Sequence, residues 1–183
     1  MIPVLSALAA ALAILLSAPA HAQPQNPLLP LVDAATERLQ VADPVAAAKL
    51  HNGGLIQDPE REQQVLDAVA AEAAARQIDP GYVTAAFRDQ IDATVAVEYR
   101  RLADWKLDPA SAPAGAPDLA SSRQTIDALN RVMVAEMAEE WALLHSPACG
   151  GELDAARAAV AQDRALDPLY RQALDFATRS YCR

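Results

Sequence analysis

The chain has 183 residues, 52% hydrophobic and 21% charged, enough to bury one sizeable core and too few for two ordinary domains. Its net charge of -9 argues against nucleic acid or an anionic lipid surface as a partner, and an aromatic content of 4% argues against a base-stacking platform.

The stretch 1–22 contains no Lys, Arg, Asp or Glu, and Val4 to Ala18 form an apolar run that ends in Ala20-His21-Ala22 before Gln23-Pro24-Gln25. This reads as a signal peptide over 1–22, cleaved after Ala22, ahead of a mature domain over 23–183 in the periplasm or outside the cell. A retained membrane anchor is the alternative. In the mature part, Leu31, Ala35, Ala42 and Val45 recur at helical spacing and mark a first long helix, which Pro44 should kink. Asp58-Pro59-Glu60 has the order of cap, first-turn proline and early acid, so a second helix should run from there to about Gln77. Asp79-Pro80 repeats the signal for a third, with an apolar stripe of Phe87, Ile91, Val95, Leu102 and Trp105.

Leu107 to Pro117 holds three prolines and reads as a surface connection. A fourth helix is expected from Asp118 to Leu144, with Leu119, Ile126, Met133 and Met137 inward, stopping before Pro147. Cys149-Gly150-Gly151 reads as a turn into two shorter helices, Leu153 to Ala165 and Pro168 to Tyr181. The fold class is therefore all-α, a single domain of about six helices. Cys149 and Cys182 fit an exported protein with one disulfide. With no C-x-x-C and no paired ligand spacing among His21, His51 and His145, no metal or other cofactor is expected.

Polar residues on apolar stripes carry the functional signal, because burying an unpaired charge costs several kcal/mol. Arg38 and Lys49 continue the stripe of the first helix; eleven residues at about 100° each return to within ~20° of one direction, with Cα atoms ~16 Å apart. A small dianion fits between two such long cations. Taken alone, snorkelling to solvent explains them as well. Thr94 and Glu98 lie beside Ile91, Val95 and Leu102, so Glu98 is a carboxyl on a core face, either ion-paired or held protonated by desolvation. Arg123 falls between Leu119 and Ile126 on the expected inward face of the fourth helix. Asp58, Arg61 and Glu62 occupy the first turn of the second helix, where Asp58 is the natural cap.

This ordered set, R38-x10-K49, D58-x-x-R61-E62, T94-x3-E98 and R123, resembles the AroQ-type chorismate mutases, in particular their exported gamma subclass. The stretches ERLQVADPVAAAKL, IDPGYVTAAFRDQIDATVAVEYR, ADWKLDPASAP and SRQTIDALN extend the resemblance over nearly all of Pro27 to Cys182. It implies the AroQ-type helical fold, a disulfide between the late cysteines, and a homodimer with each active site inside one protomer. It further implies chorismate as substrate, with Arg38 and Arg123 on its carboxylates and Lys49 on a carboxylate and the ether oxygen. Glu98 would share that oxygen, Thr94 lie near the ring carboxylate, Arg61 stand at the second helix start, and Glu62 take the ring hydroxyl. Lys49 and Glu98 are then the catalytic pair. The sequence departs from the family pattern at Ala48 and Leu50, which are smaller than expected around Lys49, and at His51-Asn52-Gly53-Gly54.

The implied reaction is an intramolecular [3,3] rearrangement that needs no nucleophile, which agrees with the absence of nucleophile motifs. Two rivals remain from the sequence: a non-catalytic secreted helical interaction protein on the same scaffold, and a lyase releasing pyruvate from isochorismate. Loss of a cation at Arg38, Lys49 or Arg123 would favour the first rival, and product analysis separates the second.

Overall fold

Four helices begin where an aspartate can cap them. The carboxylates of Asp58, Asp79, Asp118 and Asp167 accept from the backbone N–H groups of Arg61, Gly81, Ser121 and Tyr170, each cap being worth about 1 kcal/mol. Pro59, Pro80 and Pro168 stand at the next position, where no N–H is needed. The computed structural model describes residues 26–115 and 118–183; the leader and its cleavage site lie outside them.

Among the described residues the elements are α1 (Leu29–Gln40), α2 (Ala42–Asn52), α3 (Pro59–Ala75), α4 (Pro80–Leu107), α5 (Leu119–Glu139), α6 (Trp141–Leu144), α7 (Cys149–Asp163) and α8 (Pro168–Ala177), with a 3-10 turn over Pro109–Ser111. No strand occurs among them, so the all-α expectation holds. The 28-residue α4, about 42 Å long at 1.5 Å per residue, is the spine. It packs against α2, α3 and α8, while α1 packs against α5 and α7. Leu31, Leu39, Phe87, Met133, Met137 and Leu174 are fully buried where these helices meet. No helix among the described residues is long and apolar enough to cross a membrane.

Several boundaries differ from the sequence expectation; α8, for one, ends at Ala177 and not at Tyr181. The first helix does not kink at Pro44 but breaks at Val41, because Pro44 has no N–H for the Gln40 carbonyl and its ring crowds that group. The fourth helix is interrupted at Glu140, so that α6 brings Trp141 edge-on against Tyr82 of α4, ring centroids 5.0 Å apart. Cys149-Gly150-Gly151 is the first turn of α7, not a turn before it. Neither glycine takes a positive φ, so the helix accommodates both. On α4 the buried register favours Val97, with Val95 only half-buried.

Cys149 and Cys182 are joined. The bridge fixes a C-terminal segment that also locks onto α4: Arg179 and Ser180 both donate to Asp89, and the Tyr82 hydroxyl donates to the Tyr181 carbonyl.

Candidate active site

The helix ends and faces described above leave one cleft whose walls come from α1 through α5. Val45, Val65, Ile91, Val95, Leu119 and Ile126 form its apolar surface, and it holds about 630 Å³ of empty space, open mouth included. Arg38, Lys49, Arg61, Glu62, Thr94, Glu98 and Arg123, spread over 86 positions of sequence, all line it.

Arg38 is the deepest cation, 3% exposed. Its Nε donates to Asn130 Oδ1 at 2.7 Å and its Nη1 to Thr94 Oγ1 at 3.4 Å, and the Phe87 ring lies 5.8 Å away. Both hydrogen-bond partners are neutral. Burial pulls the guanidinium down to about 10, so it remains a cation at neutral pH. A buried cation whose direct hydrogen-bond partners are neutral suits an anionic ligand; the Asp127 carboxylate, bonded to Arg61, acts on Arg38 only through space.

One turn along α4 from Thr94, Lys49 Nζ donates to Glu98 Oε2 at 2.7 Å and to the Ile56 carbonyl at 2.8 Å, the Lys49 and Glu98 side chains being 12% and 5% exposed. Burial pushes the Glu98 carboxyl up from the ordinary glutamate range; the Lys49 bond and charge oppose this, and Glu62 adds to it. Lys49 has three N–H donors, two of which are engaged, so one is left for a ligand oxygen. Gly53 and Gly54, with φ of +77° and +127°, turn the chain after α2 so that the Ile56 carbonyl returns to Lys49.

A scan against family models matches residues 30–99 to "Chorismate mutase type II". The chain is 60% identical over 164 residues to the secreted chorismate mutase of Mycolicibacterium smegmatis, covering 90% of this chain and 91% of that one. The chain belongs to the type II chorismate mutase family. A second relative, the secreted chorismate mutase of Mycobacterium tuberculosis, is 49% identical over 90% of this chain and 82% of its own length. Among solved structures, the chorismate mutase of Burkholderia thailandensis superposes with a TM-score of 0.81 at 34% identity, covering 86% of this chain and 100% of that one.

Within this chorismate mutase fold Arg123 is less buried than the inward face expected of it implies, whereas Asp58, Arg61 and Glu62 lie at the start of α3 as expected. Arg123 lies in the second turn of α5, between Leu119 and Ile126 on the cleft wall; its side chain is 45% exposed and touches Asp58 at 3.5 Å. It is thus a cation at the mouth, not a buried one. Arg61 donates to Asp127 at 2.6 Å, and Glu62 accepts from Arg88 at 2.7 Å. Thr94 donates its own proton to the Gln90 carbonyl at 2.8 Å, leaving its lone pairs toward Arg38. Asp58 caps α3 as expected.

Sequence reasoning missed Asn130, Asp127, Arg88 and the Ile56 carbonyl. Asp127 and Asn130 follow Arg123 at four and seven residues, one helical face, and that spacing was the available signal. The two departures at Ala48 and Leu50 leave the cleft itself intact: Ala48 is buried behind α2, Leu50 is exposed, and Val45 and Ile56 supply the wall.

Proposed function

We propose that the protein is an exported chorismate mutase of the gamma subclass, which rearranges chorismate to prephenate in the cleft between α1 and α5. The observation that carries this reading is that one small apolar cleft brings together Arg38, a buried cation whose direct hydrogen-bond partners are neutral, and the Lys49–Glu98 pair one turn along α4 from Thr94. Chorismate carries two carboxylates and an ether oxygen. Arg38 takes one carboxylate, Arg61 and Arg123 meet the charge nearer the mouth, and Thr94 sits beside the Arg38 site. Glu62, fixed by Arg88, accepts from the ring hydroxyl.

The ether C–O bond breaks as the new C–C bond forms, within one molecule and without loss of a proton. What the protein supplies is geometry and charge. Holding the substrate folded brings its ends together, and the spare Lys49 proton meets the negative charge growing on the ether oxygen. A protonated Glu98 donates to the same atom; the substrate's two carboxylates push its carboxyl further in the direction that burial already sets. An active site complete within each protomer of a homodimer is what the gamma-subclass resemblance implies, and residues of α1 to α5 are enough to line the cleft. The secreted relatives favour export; a mature domain over 23–183, with the leader removed after Ala22, rests on the sequence Ala20-His21-Ala22.

The test is to incubate the mature domain separately with chorismate and isochorismate and identify the products by NMR. Prephenate from chorismate, without pyruvate, supports the reading. Pyruvate release from isochorismate as the faster reaction, or no turnover of either, contradicts it. Sedimentation of the same sample reads the dimer.

A further inference from the structure

Two guanidiniums of the cleft are answered from one face of α5, and the two answers differ in charge. Arg61, about a quarter exposed, receives a carboxylate, Asp127, at 2.6 Å. Arg38, almost wholly buried, receives a carboxamide, Asn130, at 2.7 Å. Asp127 and Asn130 are three residues apart, on adjacent turns. Asn130 is itself buried, so its oxygen has no competing water shell.

The difference has a physical consequence. A guanidinium has five N–H donors. Asn130 takes the Nε–H and Thr94 one proton of Nη1, which leaves three donors at the terminal nitrogens. With Nε fastened, the plane of the group is set, and the free nitrogens keep the fork geometry that suits a carboxylate. A carboxylate in the place of the carboxamide would hold the same N–H but would also neutralise the cation. An incoming anion would then meet an already paired charge and a buried acid.

On the reading that Arg38 holds a substrate carboxylate, we propose that Asn130 is a positioning residue for the rearrangement: it orients the Arg38 guanidinium without cancelling its charge. Asn130 does not touch the substrate and acts only through Arg38. Its neutrality, not merely its hydrogen bond, is the feature that matters.

The test compares Asn130→Asp, Asn130→Ala, Arg38→Ala and the double variant of Arg38→Ala with Asn130→Ala, with kcat, KM and Tm measured for each on chorismate. Asn130→Asp keeps shape and acceptor and adds only charge. Its KM should rise by at least ~10-fold, with a smaller change in kcat and a Tm close to wild type, because a charge-assisted bond to the ligand is lost. Arg38→Ala should also raise KM, and adding the neutral Asn130→Ala to it should change KM by less than about twofold, since the residue acts through Arg38. An Asn130→Asp variant with wild-type KM, beside an impaired Arg38→Ala, overturns the positioning role while leaving the reading of Arg38 intact. An Arg38→Ala variant with wild-type KM overturns both. If Asn130→Asp does not fold, Asn130→Ala takes its place: a folded alanine variant with wild-type KM overturns the proposal, and raised KM with Tm preserved supports it.

Discussion

Replacing Lys49 by alanine removes a single ammonium group, and the surrounding bonds set what should follow. Lys49 bonds Glu98 and the Ile56 carbonyl and keeps one proton for the substrate. Loss of one preorganised donor to a developing oxyanion costs about 2.7–4 kcal/mol in the transition state, so kcat should fall by ~10² to 10³-fold. The variant also loses what holds the Glu98 carboxyl down, while the burial that raises it stays, so Glu98 moves further up. A carboxyl raised in the folded state contributes its stability in full below the ordinary glutamate range and loses it as pH rises through the folded value. The Tm of Lys49→Ala should therefore decline with rising pH more steeply than the wild type's. The assay is turnover of saturating chorismate, followed by thermal unfolding between about pH 5 and pH 8. A folded variant whose kcat stays within about threefold of wild type refutes the role of Lys49, because no donor to the ether oxygen would then be missing.

Glu98→Gln replaces an acid by a permanent donor. Wild-type kcat/KM should fall as pH rises through the raised value of Glu98, whereas the glutamine variant should stay active with a flatter profile; a folded variant inactive at every pH, beside a wild type active into mild alkali, assigns Glu98 to orienting Lys49 instead. Arg123→Ala should raise KM by about 3- to 10-fold with little change in kcat, the modest figure following from its exposure at the mouth; unchanged KM places the residue outside the site. Cys149→Ser opens the bridge to Cys182, 33 positions away, and should lower stability by about 3 to 4 kcal/mol in the chain-entropy model. The wild type purified under oxidising conditions should show no thiol reactive to Ellman's reagent, and the variant should retain activity at temperatures where it is folded.

The sequence made the helices legible because their starts are chemical signals: Asp58-Pro59, Asp79-Pro80 and Asp167-Pro168 each supply a cap and a residue that needs no N–H. It also showed which polar side chains sit on apolar faces, and Arg38, Lys49, Thr94 and Glu98 do line one cleft. What it could not show depends on how helices cross. Periodicity put Arg123 with Leu119 and Ile126, and all three do line the cleft, but at that point the face borders the open mouth, so the guanidinium is 45% exposed. The partners Asn130 and Asp127 answer Arg38 and Arg61 only because α5 packs against both α1 and α3, a relation that no single helix reveals. The break at Val41 was half-legible: Pro44 marked the disturbance, and whether it bends or severs the helix depends on packing on both sides.

The central claim is that the cleft is shaped and charged for a compact dianion anchored by Arg38. Calorimetric titration of the mature domain with a rigid bicyclic dicarboxylate mimicking the folded transition state tests it most directly. The wild type should bind this mimic at least ~10²-fold more tightly than chorismate, as a transition-state complement does, and Arg38→Ala should lose at least ~10-fold of that affinity. Equal affinity of wild type and Arg38→Ala, or a mimic bound no better than chorismate, would contradict the account.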